Sequence, residues 1–377
     1  MQISSLQENL KKALLAVSHI AGKNVNLPIL NNILLEAKEG NIKLISTNLE
    51  IGITYLLRGK IEKEGVYTVD AKVLSDYISL LPNKKIEIEL KENVLKIESG
   101  NYKTKVKGQS AEDFPLIPKI DEGNEIVLNS EDLRKALSQV VFAVSPSESR
   151  LELSGVVMDF KGGELVMAAT DSYRLAEKKV KYSQVADSEG KQEGRIIVPA
   201  KTIHEVIRVI SNIKEAGEEG GEITVYISDN QVLFSIGSVE LTSRLIEGQY
   251  PDYTQIIPVN TKTTSVINKN EFLRAVKASS IFSKTGINDV NLDFPQGDNQ
   301  VVVTAASGQT GESVIKLDAA NTGADNGVIV NYRYLLDGLN NIEGESVSIE
   351  IVDNNTPCIL RGEGQEGYLY IIMPIKQ

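Results

Sequence analysis

The sequence predicts an α+β protein built from three copies of one unit, each copy reading helix, strands, helix, strands. Three observations predict it. Six segments with helical periodicity begin near residues 6, 71, 130, 199, 269 and 331. The strand-like runs between them resemble one another, and two proline-bearing junctions, DFPLIP at 113–118 and YPDYTQIIP at 250–258, separate three stretches of similar length. The expected domains are therefore 1–124, 125–262 and 263–377, in line with the length that a single core supports.

The first helical segment, 6–21, places Leu6, Leu10, Leu14, Val17 and Ala21 on one face, and Gly22 follows as a stop signal. AKVLSDYISLLP, SEDLRKALSQVVFAV, PAKTIHEVIRVISNI, KNEFLRAVKASSIFS and NYRYLLDGLNNI repeat that pattern. Ser130 is expected to cap the third helix, and Pro199 to occupy the first turn of the fourth. Between helices, LNNILLEAKEGNIKLISTN (30–48) aligns without a gap on LSGVVMDFKGGELVMAATD (153–171), so that the turn Glu39-Gly40 matches Gly162-Gly163. VNLDFPQGDNQVVVTAAS is a third copy with one extra turn residue. A second hairpin follows each second helix, and its turn asparagines Asn93, Asn230 and Asn354 fall in register, as residues tolerant of left-handed backbone angles.

With 41% hydrophobic and 24% charged residues the composition is that of an ordinary globular chain. No apolar run is long enough to span a bilayer and the N-terminus lacks the features of a signal peptide, so a cytoplasmic protein with no membrane partner is expected. The net charge of −11 argues at first against a nucleic-acid ligand. Its distribution reverses that argument. Within 6–23, 71–85, 130–142, 199–214, 268–284 and 331–342, Lys and Arg outnumber Asp and Glu by 16 to 7, so the helices carry +9 and the remainder −20. Helices that share one side would face a polyanion, while acidic strands form the opposite surface and discourage binding there.

No catalytic constellation emerges, and no enzyme, cofactor or metal is expected. GQTGES near residue 308 lacks the lysine of a phosphate-binding loop. His204-Glu205 is followed by VIR, with no second histidine to complete a zinc pair, and the single Cys358 completes no metal motif. His19 and His204 fall in helical segments as solvated or DNA-facing residues, and Asp171 in TDSYRLA reads as a turn-forming carboxylate. A rival reading from another class is a structural repeat protein that binds partners, but not DNA, through its β surface. It predicts no salt-dependent association with DNA.

LPIL at 27–30, RLELSGVVMDF at 150–160, AATDSYRLA at 168–176, SRLIEGQYPDY at 243–253 and the C-terminal YLYIIMPI occur in order within the threefold repeat. With these blocks the chain resembles, over its whole length, the bacterial β sliding clamp family, the β subunit of DNA polymerase III. The resemblance implies a non-enzymatic processivity factor: a head-to-tail homodimer forming a closed ring, helices lining the hole, that encircles duplex DNA without reading its sequence. It also implies a clamp loader, DNA polymerases and repair proteins as partners, held through short linear peptides. Lys11, Lys12, Lys23, Lys72, Arg134, Lys135, Lys201, Arg208, Arg274 and Lys277 would face DNA. The implied peptide pocket contains Leu153, Thr170, Ser172, Tyr173, Arg174, Leu175, Pro251, Gln255, Ile256, Pro357, Ile371, Met373, Pro374 and Ile375, with Leu175, Ile371 and Met373 as its floor and Arg174 either as its polar side or as a structural hydrogen-bonding residue of the turn after Asp171. The implied ring contact joins Thr104 and Val106 to Ile281 and Phe282. Gln255, where the family commonly has arginine, and the ending Lys376-Gln377 depart from its pattern at the pocket margin.

Overall fold

The computed structural model describes residues 1–22, 26–117, 120, 124–147, 149–184, 194–215 and 221–376. Six α-helices appear where the periodicity places them: α1 (Gln7–Val17), α2 (Ala71–Leu80), α3 (Ser130–Val141), α4 (Ala200–Glu215), α5 (Lys269–Ser280) and α6 (Tyr332–Asn341). Each buries residues three or four apart. On α1 these are Leu10, Leu14 and Val17, and on α5 Phe272, Ala275 and Val276. α1 packs on α2, and α5 on α6.

Helix starts differ from expectation in three places, for local reasons. Leu6 ends the strand Gln2–Leu6 and is 54% exposed, so the buried face of α1 begins at Gln7 and its apolar part at Leu10. α3 is capped by Asn129, whose Oδ1 accepts from the amides of Glu131 and Asp132 at 3.0 and 3.1 Å. Ser130 is already helical, and its buried Oγ finds no partner among the described residues. Pro199 closes the strand Gly194–Pro199, one residue before α4. Asp70, Asn268 and Asn331 cap α2, α5 and α6 in the same way as Asn129, each accepting a backbone amide of the first turn.

The matched hairpins form as read. Glu39-Gly40 and Gly162-Gly163 both have positive φ at the two turn positions (53° and 78°, 59° and 80°), the handedness that suits twisted strands. Of the three registered asparagines only Asn93 takes a left-handed angle; Asn230 and Asn354 do not, because their turns are longer.

Contacts group the chain into two units. Met1–Arg134 associates with Tyr182–Gln192 and His204–Leu245, and Lys135–Lys181 with Glu193–Ile203 and Ile246–Gln377. The first contains a 14-stranded sheet and the second one of 12 strands, with the pairings antiparallel. The grouping cuts across the repeats because strands of successive repeats hydrogen-bond directly. Ile51–Leu57 pairs with Val239–Arg244 in the first unit, and Arg174–Lys181 with Tyr368–Ile372 in the second. Among the described residues no helix is long and apolar enough to cross a membrane.

Candidate peptide site, helix cations and strand edges

The second of these seams is where the expected pocket falls. At its entrance the chain turns at Asp171, whose Oδ1 accepts from the amides of Tyr173 and Arg174 at 2.9 and 3.0 Å. Thr170 Oγ1 donates to the Arg174 carbonyl at 2.6 Å, and Ser172 is held at φ 78°. Asp171 is thus the turn carboxylate that the sequence suggests. The strands then run in register, Arg174 opposite Ile372 and Leu175 opposite Ile371, and the Met373 amide donates to the Tyr173 carbonyl at 2.8 Å.

This seam divides the expected pocket residues into two groups. Ser172, Tyr173, Pro357, Met373, Pro374 and Ile375 line a cavity of about 660 Å³. Leu153, Leu175 and Ile371 lie instead in a buried cluster with Tyr250 and Tyr253, and Ile256 packs against it. The three residues expected as the floor divide in the same way. Leu175 and Ile371 are a cross-strand pair whose side chains turn into the core, and of the three only Met373 reaches the cavity wall. Tyr253 donates to the buried Glu177 at 2.7 Å and Tyr250 Oη accepts from the Thr170 amide at 3.0 Å. These two bonds fix the 250–257 segment against the sheet. Pro251 is half-buried beside them, and Gln255 is exposed and donates to Asp252 at 2.8 Å.

Of the two readings of Arg174, the geometry fits the structural hydrogen-bonding one. Its side chain, 12% exposed, donates from Nε to Asp171 at 3.0 Å, from one terminal nitrogen to Asp337 and from the other to the Phe142 carbonyl at 2.9 Å. The guanidinium lies 4.7 Å from the Tyr334 ring centroid, and Tyr334 lines the cavity. Arg174 consequently shapes the site through Tyr334. Gly338 completes this arrangement: a Cβ there would collide with the Tyr370 ring, so glycine lets α6 settle on the sheet and bring Tyr334 to the rim.

The helix cations fall into two sets. Lys11, Lys72, Lys135, Lys201, Arg274 and Lys277 are exposed, and Lys12 lies 3.4 Å from Glu8. Arg134 and Arg208 are internally engaged. Arg134 grips Glu131 through two nitrogens at 2.7 and 2.9 Å. Arg208 binds Glu205 and donates to the Leu15 and Ala16 carbonyls at the end of α1, so it ties α1 to α4. His19 joins the same carboxylate at 2.5 Å, and His204 is exposed. Lys23 lies outside the described residues.

Two strands at the expected ring contact have partly open edges among the described residues. Tyr102–Gln109 pairs with Val94–Ser99 on one side, and on the other only Gly108 and Gln109 are paired. Thr104 is half-buried and Val106 is 7% exposed, turned into the core by alternation, so this edge offers its backbone and the exposed Lys103, Lys105 and Lys107. In the second unit, the 311–318 part of Gly311–Gly323 pairs only with Gln300–Ser307. Beside it stands the end of α5, with Ile281 68% exposed and Phe282 half-buried next to Gly311.

Comparison with known proteins identifies the chain. Three domain models of the DNA polymerase III beta subunit match it: N-terminal over 1–118, central over 127–252 and C-terminal over 254–376. The chain belongs to the DNA polymerase III beta subunit family. A beta sliding clamp of Staphylococcus aureus is 29% identical over 93% of this chain and 92% of its own. The DNA polymerase sliding clamp of Bacillus subtilis superposes with a TM-score of 0.92 at 26% identity, covering 100% of this chain and 99% of that one. The beta subunit of Thermotoga maritima gives 0.90 at 26% identity with the same coverage. As a member of this family the chain is a DNA sliding clamp subunit with the three-domain clamp fold, rather than an enzyme. Four cavity residues of this beta subunit escaped the sequence reading, Ile287, Asn331, Tyr334 and Asn355, while Lys376, expected at the pocket margin, lines the cavity too. The four come from loops and α6, which only folding brings to the C-terminal segment. For the edge strand the alternation in GESVIKLDAA was a signal; for the rest no local pattern distinguishes them from other surface residues.

Proposed function

We propose that two copies close head to tail into a ring around duplex DNA, with the first repeat of one against the third repeat of the other, and that partners dock at the cavity beside Met373. The observation that carries the DNA reading is the placement of cations. Lys11, Lys72, Lys135, Lys201, Arg274 and Lys277 are exposed on five of the helices of a chain whose net charge is −11. Mobile lysines and arginines neutralise phosphates without recognising bases, which suits a protein that must move along its ligand. The open edges at 102–107 and 311–318 support ring closure, since each has unpaired backbone groups for the other to complete.

The cavity beside Met373 supports docking of short tails. Tyr173, Pro357, Pro374 and Ile375 offer apolar walls, Met373 adapts to different shapes, and Asn331 and Asn355 orient a backbone. Clamp loader, polymerases and repair proteins would share this site in the cytoplasm. The deciding experiment loads the protein onto nicked circular DNA and onto the same DNA linearised. Retention on the circle with loss from the linear form is expected, because only topological linkage distinguishes them. Equal retention on both would refute encirclement.

A further inference from the structure

The first seam repeats the backbone of the second almost bond for bond. Asn48 Oδ1 accepts from the amides of Glu50 and Ile51 at 3.0 and 2.8 Å, as Asp171 does from Tyr173 and Arg174. Thr47 Oγ1 donates to the Ile51 carbonyl, as Thr170 does to that of Arg174. Leu49 takes φ 76° and Ser172 φ 78°. Gly52 lies opposite Thr242 as Leu175 lies opposite Ile371, and the Arg244 amide donates to the Glu50 carbonyl as that of Met373 does to Tyr173. Phe114-Pro115 precedes this seam's linker as Tyr250-Pro251 precedes the other, and both aromatic rings are buried.

A cavity of about 320 Å³ opens at this first seam too. Its chemistry is different. Where the second seam has Met373, the first has Arg244, which lines the cavity, is exposed and has no ion pair among the described residues. Gly52 replaces Leu175, and the linker side chain Ile117 fills that space, since a Cβ on Gly52 would fall 2.6 Å from Ile117 Cδ1. Leu49 and Leu116, 49% and 95% exposed, add an apolar rim. The same groove thus offers an aliphatic surface beside an exposed guanidinium that has no ion pair among the described residues, with the exposed Glu50 also on the cavity wall.

We infer that the first seam is a second peptide-docking site, selective for a short extended segment that carries an acidic residue next to an aliphatic one. Its carboxylate meets Arg244, and its aliphatic side chain rests on Ile117 and Leu49. The inference rests on the reading of the Met373 cavity as a peptide site, because the two seams share a backbone. It adds that one chain sorts its partners by chemistry between two grooves.

The test uses the full chain and fluorescence polarisation with a labelled Gly-Leu-Glu-Leu-Gly peptide, a Glu→Gln version of it, and an all-apolar tail peptide. The acidic probe is expected to bind the parent and to lose at least tenfold in affinity with Arg244→Met or with Glu→Gln in the probe, but not with Met373→Ala. Gly52→Ala, which drives Ile117 into the cavity, should weaken it as well. Arg244 is exposed, so its variant is expected to keep the parent's elution and circular dichroism. If the acidic probe does not bind the parent, binds Arg244→Met equally, or responds only to Met373→Ala, the second site is overturned. The all-apolar peptide, read against Met373→Ala, tests the first site separately, so the two failures are distinguishable.

Discussion

Replacing Arg174 by alanine should loosen the second seam before it affects any ligand. Three groups lose their partner: the Asp171 carboxylate, the Asp337 carboxylate and the Phe142 carbonyl, and Tyr334 loses the cation over its ring. Removing one member of a buried ion pair costs roughly 3–5 kcal/mol. Here the cost is smaller. Asp337 is half exposed and regains water, and Asp171 retains backbone amides from residues 173 and 174. About 2–3 kcal/mol remains, most of it the stranded Phe142 carbonyl and the weakened Asp171 site. Since the seam can open locally, the fitting assay is native-state hydrogen exchange of Arg174–Lys181 and α6. At 1.36 kcal/mol per decade, protection should fall by roughly 30- to 150-fold. Affinity for an apolar tail should fall with it, because Tyr334 lines the cavity. If affinity falls while exchange is unchanged, Arg174 touches the ligand itself and the internal role assigned to it is wrong.

Other expectations follow from the same geometry. Met373→Ala should reduce affinity for an apolar tail by about 1–3 kcal/mol with little change in unfolding, because the side chain is half exposed; an unaltered titration would remove Met373 from the site. Ile281→Asp with Phe282→Asp should give monomers in sedimentation, and a persistent dimer would move the ring contact elsewhere. Charge reversal at Lys11, Lys72, Lys201 and Lys277 should weaken loading onto circular DNA and flatten the salt dependence of loading, and parent-like loading would exclude these residues as phosphate contacts. Burial raises the phenols of Tyr250, Tyr253, Tyr368 and Tyr370 above their ordinary range. The folded state therefore holds these protons more tightly than the unfolded one. Their contribution is complete below about pH 10 and is lost as pH rises through the folded values. Tyrosinate absorbance should consequently show a late component coincident with unfolding; a smooth titration of all tyrosines in a folded protein would refute it.

Much of the architecture was legible because the repeats report on one another. Glu39-Gly40 aligned with Gly162-Gly163, and both turns took the same pair of left-handed angles. The buried faces of the helices followed from 3.6-residue periodicity, since helical spacing decides locally which side chains share a face. Errors arose where neighbouring residues compete for one role. Asn129 took the cap that Ser130 also suited, and Leu6 joined a strand although its spacing fitted the face of α1. At the candidate site, the family resemblance pointed to the segments 170–175 and 371–375 but not to which side chains face the cavity. Leu175 and Ile371 turn inward while Met373 faces out, a matter of cross-strand register.

By itself the sequence determined the three repeats, the cationic helices against acidic strands, the helix faces and the turn chemistry at Asp171, because each depends on residues close together in the chain. Only the tertiary structure decided that strands of successive repeats join, with Ile51–Leu57 on Val239–Arg244 and Arg174–Lys181 on Tyr368–Ile372. It alone decided that Arg174 is held by Asp337 and the Phe142 carbonyl, and that Tyr334 and Asn355 meet Met373. These pairings span tens to hundreds of residues. Their partners are selected by register and by burial of the whole sheet, for which no local pattern in the chain carries a signal.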